Sequence, residues 1–193
     1  MHPHLLQRDQ AVLVFVDVQE RLHAEMPHRD EVGGNLLKLA EAAKVLSIPV
    51  VVTEHAAKAF GPTIEPLRAA LSAYAPLHKM VFSCFGSEEF RSKLESLGRK
   101  QVVVAGYETH VCVCQTALDA RAAGYQVHLV RDASGSRTDA NAAVGVEKMS
   151  GAGILPASTE TVIFELLQRA GTDEFRALLP VIKKPKIPNP KSQ

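Results

Sequence analysis

The chain is short of cysteine, has no long apolar run and carries no surplus of either charge. Each scarcity removes a class of protein. Three cysteines among 193 residues are too few, and odd in number, for a disulfide framework. A reduced, cytoplasmic protein is therefore expected. No stretch reaches 18 apolar residues, so neither a transmembrane helix nor a membrane partner is expected. The first ten residues, MHPHLLQRDQ, lack a basic end followed by a long apolar run and do not read as a secretory signal. Lys and Arg number 22 against 21 Asp and Glu, a formal net charge of +1. That balance lacks the basic footprint of a nucleic-acid binder. Neither GxGxxG nor GxxxxGKS/T occurs, which disfavours dinucleotide use, and no cofactor is expected. No repeat of fixed period is visible.

What remains is ordinary globular composition, 46% hydrophobic and 22% charged. Length and evenness suggest one domain over residues 1–183, followed by a flexible Pro/Lys-rich tail at 184–193. From Pro180 onward the chain holds four prolines and four lysines and is expected to be extended or mobile. Upstream, short β-branched runs alternate with helical patterns. Ala11–Val16, Val50–Thr53, Gln101–Ala105, Gln126–Val130 and Ala152–Leu155 read as strands. The runs are apolar on both faces, as in a buried parallel sheet. Helices are expected over Val32–Ser47, Ile64–Tyr74, Glu88–Leu97, Thr109–Ala123, Ala140–Met149 and Thr159–Arg169. Strand–helix alternation implies an α/β fold. The architecture expected is a three-layer, doubly wound, Rossmann-like and mainly parallel sheet with helices on both faces.

Ligands of such sheets bind beyond the carboxyl ends of the strands. The residues there are Asp17 and Gln19 after the first strand, Glu54 and His55 after the second, and Gly106–Cys112 after the third. A carboxylate at a buried strand end is suited to acid–base work, or it caps the next segment. Thr109 is placed to cap a helix whose first turn carries Cys112. There the macrodipole would favour a thiolate and orphan N–H groups an oxyanion hole. A buried structural cysteine is the plainer alternative. Lys79 stands among apolar residues, either solvated or a buried cation that lowers a thiol pKa. Cys114, two residues from Cys112, points about 200° away on a helix and reads as core; Cys84 reads as packing. His55 is followed by Ala56, Ala57 and Lys58, so no metal site is expected.

Taken in order, Asp17-x-Gln19, Lys79 before Phe82-Ser83, and Gly106-x-x-Thr109-x-x-Cys112-Val113 resemble the isochorismatase-like cysteine hydrolase family over roughly residues 8–183. Thr53-Glu54, Gly61-Pro62-Thr63, Asp132-Ala133, Ser136-Arg137, Ser150-Gly151-Ala152 and Thr159-Glu160 are similar to its isochorismatase-domain subgroup. The resemblance implies a catalytic triad of Asp17, Lys79 and Cys112. It implies a cis peptide between Tyr107 and Glu108, with oxyanion donors at Glu108 and Cys112. Gln19, Glu54, His55, Phe82 and Thr109 become substrate-pocket candidates. The family's nicotinamidases hold a metal with Asp-x-His after the second strand, which this chain lacks. Its isochorismatases commonly lack the cysteine, so Cys112 argues against isochorismate.

The function implied is hydrolysis of a small amide or related C–N bond through an acyl-thioester. The alternative is a non-catalytic or thiol-redox binding protein on the same fold. A homo-oligomer, dimer or tetramer, is also implied. Phe60, Ile64, Leu67 and Leu71 could supply apolar surface for a partner or simply cover their own sheet edge.

Overall fold

The computed structural model describes residues 2–183; the tail expected at 184–193 lies outside them. In chain order the elements begin β1 (Ala11–Val16), α1 (Glu20–Ala24), α2 (Arg29–Leu46), β2 (Val50–His55), α3 (Ala57–Phe60), α4 (Glu65–Ala70) and β3 (Leu77–Lys79). A 3₁₀ turn at Cys84–Gly86 leads to α5 (Glu88–Ser96) and β4 (Gln101–Tyr107). A π-helical turn at Thr109–Val113 runs into α6 (Cys114–Ala122). Then come β5 (Gln126–Gly135), α7 (Asp139–Gly151), β6 (Leu155–Ala157), α8 (Thr159–Leu167) and α9 (Asp173–Lys183).

The strands form one six-stranded sheet ordered β3-β2-β1-β4-β5-β6, with every neighbouring pair parallel. Period-2 alternation divides the central strands between two cores. Leu13 and Phe15 face one side with Val103, Ala105 and the inner faces of α2 and α8. Val12, Val14 and Val16 face the other with Val102, Val104, Phe90, Leu94 and Ala117. Burial of each such side chain contributes roughly 1.5–3 kcal/mol. β1 is buried from end to end, which is why its sequence shows no polar alternation.

The chain winds outward from β1 to β3, returns to β4, then winds the other way, so the topological switch point lies between β1 and β4. Two glycines permit close approaches there. Gly106 has φ +124, and a Cβ on it would stand 2.1 Å from the Val16 carbonyl oxygen. A Cβ on Gly145 of α7 would stand 2.9 Å from the Thr109 carbonyl oxygen, so α7 packs directly on the turn that carries Cys112.

Several expectations shift. β3 was unread because three residues (Leu-His-Lys) carry no period. The last strand begins at Leu155, not Ala152, because α7 continues to Gly151. Pro156 is tolerated because β6 is an edge strand. The helix expected over Ile64–Tyr74 spans only Glu65–Ala70, since Leu71 turns extended. Pro180–Lys183 is helical rather than extended, held by the packing of Leu178, Val181 and Ile182 against the first core. Ile64 and Leu67 are buried within the chain itself. The exposed apolar run is instead Met80, Val81 and Phe82, at 78%, 42% and 52% of full exposure.

Candidate active site

At the switch point the chain leaves β1 in a tight turn. Asp17 adopts φ +52, a left-handed conformation that Asp tolerates better than most residues. Its amide donates to the Thr53 carbonyl at 3.1 Å, and its carbonyl accepts from the Gln19 amide at 2.8 Å. The side chain is fully buried. Lys79, at the end of β3 and paired in register with His55, reaches across β2 to place Nζ 2.6 Å from Asp17 Oδ2. The same ammonium donates to the carbonyls of Val81 at 3.2 Å and Phe82 at 3.0 Å. All three of its protons are thus used. Asp17 Oδ1 accepts from the Thr53 hydroxyl at 2.8 Å.

Cys112 enters from the opposite side. β4 ends at Tyr107, the Tyr107–Glu108 peptide is cis, and the π turn starts at Thr109. A helix expected to run unbroken from Thr109 therefore opens with wider winding, a feature frequent at functional sites. Glu108, not Thr109, occupies the cap position, and its carbonyl accepts from the amides of Val111 and Val113. The Thr109 hydroxyl is buried without a partner among the described residues. The Asp17 carboxylate acts on the Cys112 thiol, through its charge and as a side-chain partner, and both effects raise the thiol pKa.

The electrostatics correct one expectation. Burial, then the charge of Asp17, pushes the Cys112 thiol up to about 12, against the opposing pull of Lys79. Burial likewise pushes Cys84 up to about 11. The resting group is therefore a thiol rather than the thiolate expected at a helix start. The reason is that the cation is committed to Asp17. Burial opposes the Lys79 charge, but Asp17, aided by Cys84 and Cys112, outweighs it and moves Lys79 upward.

The expected pocket residues separate into two groups. Gln19 and Glu54 spend their polar atoms on bracing the loop between β2 and α4. Gln19 donates to the Gly61 carbonyl at 2.7 Å and accepts from the His55 amide at 2.8 Å. Glu54 Oε1 accepts from the Thr63 amide and hydroxyl at 2.7 and 2.9 Å and from the Tyr74 hydroxyl. His55 and Phe82 do meet, with ring centroids 5.5 Å apart, and Phe60 lies on His55 at 5.9 Å. Burial, reinforced by Lys79, lowers the His55 pKa against Asp17 and the Val81 carbonyl, so the ring is neutral. The donor set does not suit the metal of nicotinamidases: Thr53 stands where an Asp-x-His pair would begin, and the Glu54 carboxylate is engaged.

Three residues without an assigned role join the site. Thr53 holds Asp17, and Cys84 Sγ lies 3.7 Å from the Thr53 hydroxyl. The sequence signals for Thr53 are a hydroxyl closing an apolar strand and the Thr53-Glu54 pair that resembles the isochorismatase-domain subgroup. Arg137 pairs with the Glu108 carboxylate at 2.9 Å, beside the cis peptide. A cleft of about 730 Å³ lies apart from the thiol, between the start of α2, the ends of β5 and β6, and α7. Thr109, Arg131, Ser134 and Ser136 line it; Asp17, Lys79 and Cys112 do not.

A model of the isochorismatase domain matches residues 11–161. The secreted isochorismatase effector Isc1 of Phytophthora sojae is 36% identical over 179 residues, covering 90% of this chain and 85% of Isc1. MAR1 ribonuclease from Caenorhabditis elegans superposes with a TM-score of 0.86 at 28% identity, covering 92% of each chain. YcaC matches in two structures. The one from Pseudomonas aeruginosa, with hexane-2,5-diol and covalent acrylamide, gives a TM-score of 0.86 at 26% identity, covering 94% of this chain and 93% of that one. The one from Escherichia coli, described as an octameric hydrolase of unknown specificity, gives 0.85 at 26%, covering 92% and 90%. The chain belongs to the isochorismatase family.

Proposed function

We propose that this family member is a cysteine hydrolase of small amides or related carbonyl C–N bonds. The observation that carries the reading is one fully buried carboxylate, Asp17, bonded to the Lys79 ammonium at 2.6 Å and close enough to the Cys112 thiol to raise its pKa. Burial without a role would be unfavourable for such a group. A base in contact with a nucleophile, oriented by a third group, is the arrangement that nucleophilic catalysis requires.

The steps balance through Asp17. It takes the Cys112 proton as sulfur bonds to the substrate carbonyl carbon. Backbone N–H groups of Glu108 and Cys112 receive the oxyanion. Asp17 then passes the proton to the departing nitrogen as the C–N bond breaks, leaving an acyl-thioester. It next removes a proton from water, whose oxygen attacks the thioester carbon, and returns it to sulfur. Lys79 keeps Asp17 oriented and stabilises negative charge on sulfur. His55, Phe60 and Phe82 offer a neutral, aromatic wall, suited to an uncharged substrate body.

Two relatives bear on this reading. The covalent acrylamide in the P. aeruginosa YcaC structure is an electrophilic amide carried by that protein. MAR1 is named a ribonuclease. Phosphodiester cleavage is disfavoured here because the net charge is +1 and the Lys79 charge is already countered by Asp17. The test is a panel of primary amides, N-carbamoyl compounds and RNA, with intact-mass detection of acyl-Cys112. Amide turnover with an acyl adduct supports the reading; RNA cleavage without amide turnover, or full activity in Cys112→Ala, overturns it.

The chain is further proposed to form a homo-oligomer, supported by the octameric E. coli YcaC and the exposed Met80–Phe82 run. The carbonyls of Val81 and Phe82 hold Lys79, so covering this run would steady the site. Light scattering showing a fully active monomer at micromolar concentration would count against it. A reducing, cytoplasmic setting is proposed because all three cysteines are free thiols.

A further inference from the structure

We infer that Thr53 is a positioning residue for the reaction, and that the Cys84 thiol acts through it. The inference rests on the Asp17–Cys112 reading above and names what aims that carboxylate. A lysine is a compact point charge that a carboxylate can meet through either oxygen, so a second donor decides which oxygen it takes. Here one oxygen is withheld. The Thr53 hydroxyl donates to Oδ1 at 2.8 Å, leaving Oδ2 to Lys79 at 2.6 Å, and both contacts are fully buried.

A hydroxyl can donate in only one direction, and Cys84 decides which. Its Sγ–H donates to Thr53 Oγ1 at 3.7 Å, occupying a lone pair and leaving the hydroxyl proton to point at Asp17. With its thiol held up at about 11, Cys84 keeps that proton at neutral pH. Cys84 is itself fixed because its amide donates to the Thr116 hydroxyl at 2.9 Å, one helical turn after Cys112. The hydrogen-bond series Cys84–Thr53–Asp17 therefore starts and ends beside the helix that carries the nucleophile. In a dry site such series reinforce one another. Cys84 is neither a second nucleophile nor a mere core filler.

The test is the rate of Cys112 alkylation by acrylamide and by iodoacetamide at pH 7.5, followed by peptide mass spectrometry. It reads the base–thiol contact without any substrate. Thr53→Val, an isosteric change, should slow Cys112 labelling by about tenfold, the scale of one lost buried hydrogen bond to a charged group. Thr53→Ser should restore the rate to within about twofold, which a packing role would not do, since serine lacks the methyl group. Cys84→Ala should slow labelling about threefold and Cys84→Ser should not. Thermal unfolding midpoints identify any variant that fails to fold, and Thr53→Ser against Thr53→Ala then decides. Equal rates in wild type, Thr53→Val and Thr53→Ala overturn the inference. An unreactive Cys112 in the wild type overturns the parent reading instead.

Discussion

Two concavities open along the carboxyl edge of the same sheet, and they are built on opposite terms. At the β1–β4 switch point the polar groups are buried and matched to one another. Asp17 meets Lys79, Thr53 and Cys112, and Lys79 has no proton to spare. Beyond β5 and β6 the cleft is wide, about 730 Å³, and lined by hydroxyls together with charged side chains, among them Arg131, Asp132 and Asp139. Its shape suits a ligand and the Ser136 hydroxyl there meets the His110 ring at 2.9 Å, but Asp17, Lys79 and Cys112 take no part in its lining. The chemistry we propose lies where the topology forces strand ends from both windings to converge, and there burial makes each polar contact matter more.

Removing the nucleophile breaks the contrast most sharply. Cys112→Ala should abolish amide turnover, whereas Arg131→Ser in the cleft should leave it unchanged, both measured at saturating substrate. Asp17→Asn keeps the shape but loses the base, and should slow Cys112 acylation at least about 10²-fold in single-turnover assays. Lys79→Met strands a buried carboxylate and should destabilise the fold by about 3–5 kcal/mol in urea titration. Adding Asp17→Asn to Lys79→Met should recover part of that loss; no recovery would mean the two groups do not form a coupled pair.

Acid sensitivity should come from the β5 side rather than from Lys79. Burial, with a smaller push from His4, lowers the His128 pKa from 6.5 to about 4. A base depressed on folding contributes stability that is present above its unfolded value and lost as pH falls through the folded one. Unfolding free energy should thus drop by roughly 2–3 kcal/mol between pH 6.5 and 4. His128→Leu should flatten this slope. The smallest effect belongs to the cleft rim, where Arg131→Ser should change stability by no more than about 0.5 kcal/mol by thermal unfolding. A larger effect would show that the two concavities are mechanically linked.

Much of this was legible in the chain itself. Continuous runs such as Ala11–Val16 announce strands covered on both faces, because a half-exposed strand would alternate. Their ends marked Asp17 and Cys112 as residues to examine, since a parallel sheet presents its carboxyl edge to ligands. The family resemblance added Lys79 and the cis peptide, which spacing alone does not reveal. It also offered Gln19 and Glu54 as pocket residues, whereas both brace a loop.

Local pattern thus determined the strands, the main helices and the parallel winding, because burial and period are written residue by residue. The thiol's protonation state, the edge strand at Leu77–Lys79, the π turn and the roles of Thr53 and Cys84 were decided only by tertiary structure. Each depends on which groups meet across the sheet. Asp17, Thr53, Lys79, Cys84 and Cys112 are scattered over nearly a hundred residues of chain. A pKa or a hydrogen-bond direction is a property of the neighbours that folding assembles, and a lone cysteine near a helix start carries no mark of the carboxylate that will hold its proton.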